Sequence, residues 1–248
     1  MADQTLAQTG SLSVPPRPQS RPWLSRKLAG ALRASRCWLG YLLARRPHRV
    51  SELVDFVMGN HFFWAIQVPA ELEALGEIVA DLRPERALEI GTARGGTLLF
   101  LTRLASPRAT IISIDLPGGR FGGGYNRRRR WFYQRFARRG QRLHLLQGDS
   151  HSPEMLARAK AALAGRLLDY LFIDGDHTYQ GVRSDFEMYA PLVRKGGVIA
   201  FHDIAEHPPS TGCQVSRFWN QIKRQYRHVE IIEDRKQGWA GIGVLYVD

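Results

Sequence analysis

The segment E-I-G-T-A-R-G-G, residues 89–96, has the composition of a nucleotide-type binding loop. An acid closes a predicted strand, and the glycines that follow let the backbone approach a ligand and adopt positive φ angles. A helix that begins directly after the loop would present unpaired N–H groups. NAD-binding proteins use a similar loop, but their G-x-G-x-x-G spacing is absent, because Gly91 is followed by Gly95 and Gly96. The spacing therefore disfavours a dinucleotide.

Polar side chains also follow four further predicted strands. Asp115 closes I-I-S-I-D, where a carboxylate can accept two hydrogen bonds from a ribose diol. Asp149 and Ser150 lie in G-D-S, where a side chain could contact an adenine edge. The runs F-I-D-G-D-H-T-Y (172–179) and F-H-D (201–203) add acids and histidines. Strand ends of this kind converge on one crevice, which is where α/β folds bind ligands.

The elements that must position these residues alternate between helix and strand from about residue 68. Helices are predicted over 69–82, with Pro69 at a favourable first-turn position, and over 97–104. The predicted strands are 86–90, 110–115, 142–147, 168–174, 197–202, 229–232 and 242–247. Strands separated by helices indicate an α/β fold whose mostly parallel sheet is covered on both faces.

The order and spacing of five motifs over residues 65–248 resemble the class I S-adenosylmethionine (SAM)-dependent methyltransferases. The motifs are E-I-G-T-A-R-G-G-T, S-I-D-L-P, G-D-S, F-I-D-G-D-H-T-Y-x-G-V-x-x-D and G-G-V-I-A-F-H-D. They are most similar to the metal-dependent O-methyltransferases of the macrocin O-methyltransferase and cephalosporin-hydroxylase-like group. The resemblance implies a Rossmann-like, doubly wound, seven-stranded sheet. It also implies transfer of a methyl group from SAM to a hydroxyl of a sugar, glycolipid or small natural product.

The resemblance also implies which residues contact the cofactor. The Gly-rich loop would surround the amino-acid part of SAM, and the later strand ends would meet its ribose and adenine. The residues expected at SAM are Glu89, Gly91, Thr92, Gly95, Gly96, Asp115, Asp149, Ser150 and Asp174.

A metal site and a base are implied in the same way. In the metal-dependent relatives, an Asp at the end of the fourth strand and an acid pair at the end of the fifth hold Mg²⁺. Asp174 matches the first position, and His202 and Asp203 fall where the pair belongs, so a histidine replaces one acid. Mg²⁺ prefers oxygen ligands, whereas a histidine suits Mn²⁺ or another transition ion better. His177 matches a histidine base, which a weakly nucleophilic hydroxyl needs. We therefore expect Asp174, His202 and Asp203 as metal ligands, and His177 and Asp174 as catalytic residues.

Simpler structural roles remain open for several of these side chains. His177 could cap the following helix, and Asp203 could be a structural turn acid. For His151 we favour a loop role, for Asp176 a helix cap and for Asp185 a solvated position on a helix. A SAM-binding accessory protein that assists a partner enzyme without transferring a methyl group is the alternative function.

Two acid-free segments carry most of the basic residues. The formal net charge is +12, with nine Arg or Lys between Asp3 and Glu52 and nine Arg between Asp115 and Asp149. The second segment includes a Gly-rich stretch, Pro117–Phe136, in which arginines and aromatics interleave. Such an insert near the mouth of the crevice could clamp an acidic acceptor, although a solvated charged surface is the alternative. Nucleic acid is disfavoured, because no RNA-binding module or N-P-P-Y-type motif is present.

The chain divides into a flexible tail (1–22), a basic amphipathic helical extension (23–64) and the methyltransferase domain (65–248). The apolar and cationic faces of the extension could pack on the domain, on a second subunit in a homo-oligomer, or on an anionic membrane surface. Cys37 and Cys213 are too few for a disulfide framework, which favours a reducing, cytoplasmic environment. No apolar run is long enough to span a bilayer.

Overall fold

The computed structural model describes residues 49–60, 63–119, 121 and 123–248. The predicted tail, most of the predicted helical extension and Cys37 lie outside the described residues, and so do the membrane and subunit contacts predicted for that extension. Among the described residues, seven strands form one mixed sheet in the order β3-β2-β1-β4-β5-β7-β6. The strands are β1 (Arg86–Ile90), β2 (Thr110–Asp115), β3 (Arg142–Gln147), β4 (Leu168–Ile173), β5 (Val193–Phe201), β6 (Arg227–Ile231) and β7 (Ile242–Tyr246).

The first five strands run parallel, and β7 pairs antiparallel with both β5 and β6. The chain therefore has the predicted Rossmann-like, doubly wound α/β fold. The bounds of four strands, β4 to β7, differ from the prediction by one to four residues. β5 begins at Val193 rather than at 197, because a register shift between Leu168 and Tyr170 of β4 allows Val193 to pair with Leu168. β4 ends at Ile173, which leaves Asp174 just beyond the strand.

Helices cover both faces of this sheet. They are α1 (Val50–Met58), α2 (Pro69–Leu82), α3 (Gly96–Leu104), α4 (Arg127–Tyr133), α5 (Pro153–Leu163), α6 (Tyr179–Tyr189) and α7 (Val215–Ile222). Helices α1–α4 form one hydrophobic cluster with the sheet, and α5–α7 form a second on the opposite face. Neighbouring strand residues alternate between the two, as Ala87 and Leu88 do, so both faces of the central strands are buried. No described helix is long and apolar enough to cross a bilayer.

Helix α1 lies within the segment predicted to be a helical extension, yet it forms part of the main core. Leu53, Val54 and Val57 are buried, and α1 packs against α2 and α3. Gly76 of α2 makes this approach close, because a Cβ there would collide with Val50 and Phe100. The close packing of α1 against α2 holds α2 in place, and α2 leads through β1 into the Gly-rich loop.

Candidate active site

A cavity of about 520 Å³ lies beyond the carboxyl ends of the parallel strands. Its size falls within the usual range of small-molecule and cofactor sites. Nine of the residues expected at the cofactor, metal or acceptor line it: Gly91, Thr92, Asp115, Asp149, Ser150, Asp174, His177, His202 and Asp203. The fold thus brings together side chains from five separate strand ends.

The glycines of the loop after β1 have different roles. Gly91 has a φ of 90°, and a Cβ there would overlap the carbonyl group of Asp174. Gly95 and Gly96 do not line the cavity. A Cβ on Gly95 would meet the ring of Tyr133, and one on Gly96 would meet the backbone of Trp64. The structure therefore places Gly95 and Gly96 behind the loop, where their lack of a side chain allows close packing.

Glu89 is buried at the end of β1 and does not itself line the cavity. It is 1% exposed, and neither carboxyl oxygen has a hydrogen-bond partner among the described residues. Burial raises the pKa of Glu89 to about 8, although the nearby hydroxyls of Thr97 and Thr92 act to lower it. A buried acceptor of this kind is destabilising unless a ligand satisfies it.

Asp115 is held at the end of β2 by backbone N–H groups. Ala93 of the Gly-rich loop donates to its Oδ2 at 2.9 Å, and Gly124 donates to its Oδ1 at 2.9 Å. Burial raises the pKa of Asp115, and these hydrogen bonds oppose the rise. Each carboxylate oxygen can accept a second hydrogen bond, so capacity remains for a ligand hydroxyl. The contact with Gly124 also shows that the Gly-rich insert folds back onto this strand end.

Three side chains form a compact set of metal-binding atoms. His202 Nδ1 lies 3.3 Å from Asp174 Oδ1 and 3.2 Å from Asp203 Oδ1. One ligand atom from each residue can be chosen so that all three lie within 4.8 Å of one another. Asp203 has a φ of 62°, a left-handed conformation that Asp tolerates better than most residues and that often marks a functional position.

His177 lies between the same two carboxylates. Its Nδ1 is 3.0 Å from Asp203 Oδ2, and its Nε2 is 3.4 Å from Asp174 Oδ1. The ring of Phe121 stacks on the imidazole with centroids 4.8 Å apart. Burial acts to lower the pKa of His177 and of His202, but the two carboxylates outweigh it and raise both. The same interactions overcome the effect of burial on Asp174 and Asp203 and lower their pKa values.

Residues outside the predicted motifs complete this cluster. Gln67 donates to Asp174 Oδ2 at 3.3 Å, and His207 Nε2 lies 3.2 Å from Asp203 Oδ1. Ala240 donates its N–H to Asp203 Oδ1 at 3.1 Å. Gln67 and Ala240 are distant in sequence, so no local pattern identifies them. His207 follows Asp203 by four residues in one loop, and that spacing could have indicated it.

A buried acid of α2, Glu71, holds the loop between β6 and β7 next to the cluster. Glu71 accepts hydrogen bonds from the N–H groups of Glu233 at 3.1 Å and Gly241 at 2.8 Å, and from Gln237 Nε2 at 2.8 Å. These bonds fix both ends of the loop. The adjacent Ala240 is thereby held where it contacts Asp203.

Three of the simpler interpretations are wrong, those for His177, Asp185 and Asp176. His177 is not the cap of α6, because Thr178 occupies the cap position and its side chain accepts the N–H of Gly181. Asp185 is not solvated: it is 0% exposed, and its Oδ1 lies 3.2 Å from Nε2 of His151. Asp185 faces the interior because it follows Val182 by three residues on the buried side of α6. Asp185 raises the pKa of His151 to about 9 against the opposing effect of burial.

The remaining polar residues near the third strand end have local contacts. Asp149 Oδ1 accepts the N–H of His151 at 2.9 Å, and its side chain is largely exposed. The carbonyl group of Ser150 accepts the hydroxyl of Tyr189 at 2.8 Å. Asp176 is not the predicted helix cap, because Thr178 occupies that position. It accepts the N–H of Thr178 at 2.9 Å and so orders the turn before α6.

Aromatic side chains form the outer wall of the cavity. Trp64, Phe121 and Trp239 line it, and the guanidinium of Arg94 lies 4.7 Å from the centre of the Trp64 ring. Trp64 and Trp239 were not predicted as site residues, because isolated aromatics in loops carry no spacing signal. Their flat faces are suited to stacking on a ring of a bound molecule.

Residues 88–204 match a family model described as a methyltransferase domain. The match runs from β1 to just beyond β5. It includes Asp174, His177, His202 and Asp203, which together form the acid–histidine cluster. Residues 88–204 therefore form a methyltransferase domain. The chain is also 52% identical to an uncharacterized protein of Acanthamoeba polyphaga mimivirus over 40 residues, which cover 16% of this chain and only 18% of that protein.

Solved structures share the fold of this methyltransferase. An O-methyltransferase from Bacillus cereus in complex with SAH superposes with a TM-score of 0.56 at 17% identity, covering 84% of this chain and 95% of that one. TomG from Streptomyces achromogenes, an O-methyltransferase of tomaymycin synthesis in complex with SAM, gives 0.54 at 16% identity over 85% and 95%. MycE, in complex with Mg, SAH and mycinamycin VI, gives 0.54 at 19% identity over 82% of this chain and 55% of MycE.

Proposed function

We propose that this methyltransferase acts on a hydroxyl oxygen of a sugar, glycolipid or small natural product with the help of a divalent cation. The observation that carries the proposal is the position of His177, which lies between two carboxylates at 3.0 and 3.4 Å in the wall of the cavity. A hydroxyl is a poor nucleophile and needs a group that removes its proton. The MycE complex, which contains Mg and the small molecule mycinamycin VI, supports the same class of acceptor.

The residues present fit SAM. The unpartnered carboxyl of Glu89 suits the ammonium of its amino-acid part, and Asp115 retains acceptor capacity for ribose hydroxyls. Gly91 allows the backbone to pass close to the cofactor and to Asp174. When bound, SAM supplies a methyl group that is already activated, so the protein has to align the acceptor and accept a proton.

The residues present also fit a divalent cation. Asp174 and Asp203 offer carboxylate oxygens and His202 offers Nδ1, all close together. This mixed donor set suits Mn²⁺ or another transition ion better than Mg²⁺. When bound, the cation would supply a Lewis acid that makes the acceptor hydroxyl easier to deprotonate.

His177 is the residue we assign to proton removal. Nδ1 of the ring faces Asp203 at 3.0 Å, which fixes the orientation of the imidazole and the identity of its protonated nitrogen. Nε2 faces Asp174 at the longer distance of 3.4 Å, so an acceptor hydroxyl can replace that contact. The stacked ring of Phe121 limits rotation of the imidazole. His177 thus presents one nitrogen to the cavity.

The walls of the cavity set the character of the acceptor. Trp64, Phe121 and Trp239 favour a molecule with a ring that can stack on them, such as a sugar. Arg94 would pair with an anionic group on that molecule, because its guanidinium lies on the Trp64 ring at the cavity wall.

Two measurements test the proposal. Calorimetric titration of SAM into the purified protein should show micromolar binding, and its absence would overturn the cofactor assignment. Methyl transfer to a panel of sugars, glycolipids and hydroxylated natural products should then be lost with EDTA and restored by Mn²⁺. Turnover by the purified protein alone would exclude the accessory role, whereas turnover that persists in EDTA would contradict the metal assignment.

A further inference from the structure

Cys213 adds a sulfur to the edge of the acid–histidine cluster. His177, Asp203 and Cys213 can each place one ligand atom within 4.8 Å of the other two. The distance of 3.0 Å between His177 Nδ1 and Asp203 Oδ2 is close to the spacing of two ligands on one tetrahedral zinc ion, which is about 3.3 Å for bonds of about 2.0 Å. This set shares only Asp203 with the Asp174–His202–Asp203 set.

Backbone contacts hold Cys213 in this position. Gln214 donates its N–H to the carbonyl group of His177 at 2.7 Å, and its side-chain oxygen accepts the N–H of Tyr179 at 3.2 Å. On the other side, Cys213 donates its N–H to Thr211 Oγ1 at 3.1 Å. The loop that carries Cys213 is therefore attached to the loop that carries His177. These hydrogen bonds, and not only the side-chain rotamer of Cys213, therefore keep the sulfur of Cys213 near the imidazole of His177.

His207 connects two members of this set. Its Nε2 lies 3.2 Å from Asp203 Oδ1, and its ring also interacts with the side chain of Cys213. A neighbour that contacts two metal ligands usually orients them, and its loss typically weakens metal binding by about 10- to 100-fold. His207 is therefore placed to orient Asp203 and Cys213.

The chemistry of the two sets differs. The Asp174–His202–Asp203 set has two carboxylates and one nitrogen, whereas the second set has one thiol sulfur, one nitrogen and one carboxylate. Thiolate and imidazole together favour Zn²⁺ over Mg²⁺ or Mn²⁺. We propose that His177, Asp203 and Cys213 form a zinc-binding site that overlaps the active site and inhibits methyl transfer by engaging the ring of His177. The thiol proton is released to solvent when the sulfur binds zinc. The inhibitory effect rests on the proposed function, but zinc binding does not.

Metal binding is tested first, with the full-length protein freed of metal. Zn²⁺ is titrated in competition with a chromophoric chelator, and Co²⁺ is used separately as a spectroscopic probe. We expect a thiolate-to-cobalt charge-transfer band in the wild type and its loss in Cys213→Ser, together with at least tenfold weaker zinc binding in that variant. Cys37→Ser, which removes the other thiol of the chain, should keep both signals. Equal zinc affinity in wild type and Cys213→Ser, with no cobalt band, would overturn the site.

Inhibition is tested second, in a methyl-transfer assay with Mn²⁺ present. The zinc concentration that halves each enzyme's own uninhibited rate should be at least tenfold higher for Cys213→Ser than for the wild type or Cys37→Ser. The same half-inhibitory concentration in all three would refute the inhibitory role. A protein that binds cobalt through Cys213 but transfers no methyl group would instead show that the proposed function is wrong while the zinc site is right.

Discussion

Gly91 and Asp174 pack backbone against backbone at the base of the active site. The N–H of Asp174 donates to the carbonyl group of Ile90 at 2.8 Å, and the Cα of Gly91 faces the carbonyl group of Asp174 with no room for a side chain. The loop assigned to SAM and the strand end that carries the acid–histidine cluster are thus in direct contact. A change at Gly91 therefore affects both.

Gly91→Ala should lower the free energy of unfolding by about 3 kcal/mol, because the methyl group would collide with Asp174 and the φ of 90° is unfavourable for alanine. Urea denaturation measures this loss. Gly165→Ala is the matched control, since Gly165 has a φ of 78° and open space around it. It should lose only about 1 kcal/mol, and an equal loss in both variants would contradict the packing argument.

Glu89 should make SAM binding depend on pH. The pKa of Glu89 is raised to about 8 by burial, so the free protein must lose a proton there before the carboxylate can pair with the ammonium of SAM. The dissociation constant of the wild type, divided by that of Glu89→Gln, should therefore fall about fivefold between pH 7 and pH 8. Calorimetry on Glu89→Gln, which cannot ionise, separates this effect from the titration of the ligand itself. The same pH dependence in both proteins would contradict the assignment.

His177→Ala should reduce turnover at least a hundredfold, the usual contribution of a positioned base being about 10²–10⁴. The affinity for SAM should stay within about twofold, because the residues assigned to SAM binding do not include His177. His228→Ala, at an exposed position on β6, serves as the control and should leave turnover unaffected. Full activity of His177→Ala would show that His177 is not the proton acceptor.

The pair of His151 and Asp185 should stabilise the protein in acid and neutral solution and lose effect in base. The folded pKa of His151, about 9, lies above its unfolded value, so the contribution is complete below about pH 6.5 and disappears as pH rises through about 9. We expect a loss of about 2 kcal/mol over that window, less than the shift alone implies because the ring is partly exposed. Chemical denaturation of wild type and His151→Gln at pH 6.5 and 9.5 measures it. A difference between the two proteins that does not change with pH would argue against this charge pair.

The sequence identified the strand-end residues because parallel strands place their carboxyl ends at one edge of a sheet. Asp174, His202 and Asp203 follow from this rule together with the family resemblance. Gln67 and Cys213 do not, because their positions depend on the path of loops that no periodic pattern describes. Asp185 could have been recognised. It lies at helical spacing between Val182 and Tyr189, on the apolar side of α6, where an acid must have a partner.

The loop held by Glu71 bears on how this enzyme could diversify. Its two ends are fixed by the buried carboxylate, whereas residues 234–236 between them are exposed and Trp239 reaches the cavity. Exchanges at Trp239 would alter the cavity wall, while Glu71 still holds Gly241 and so keeps Ala240 against Asp203. Homologues could therefore acquire new acceptors through this loop while inheriting the same catalytic apparatus unchanged.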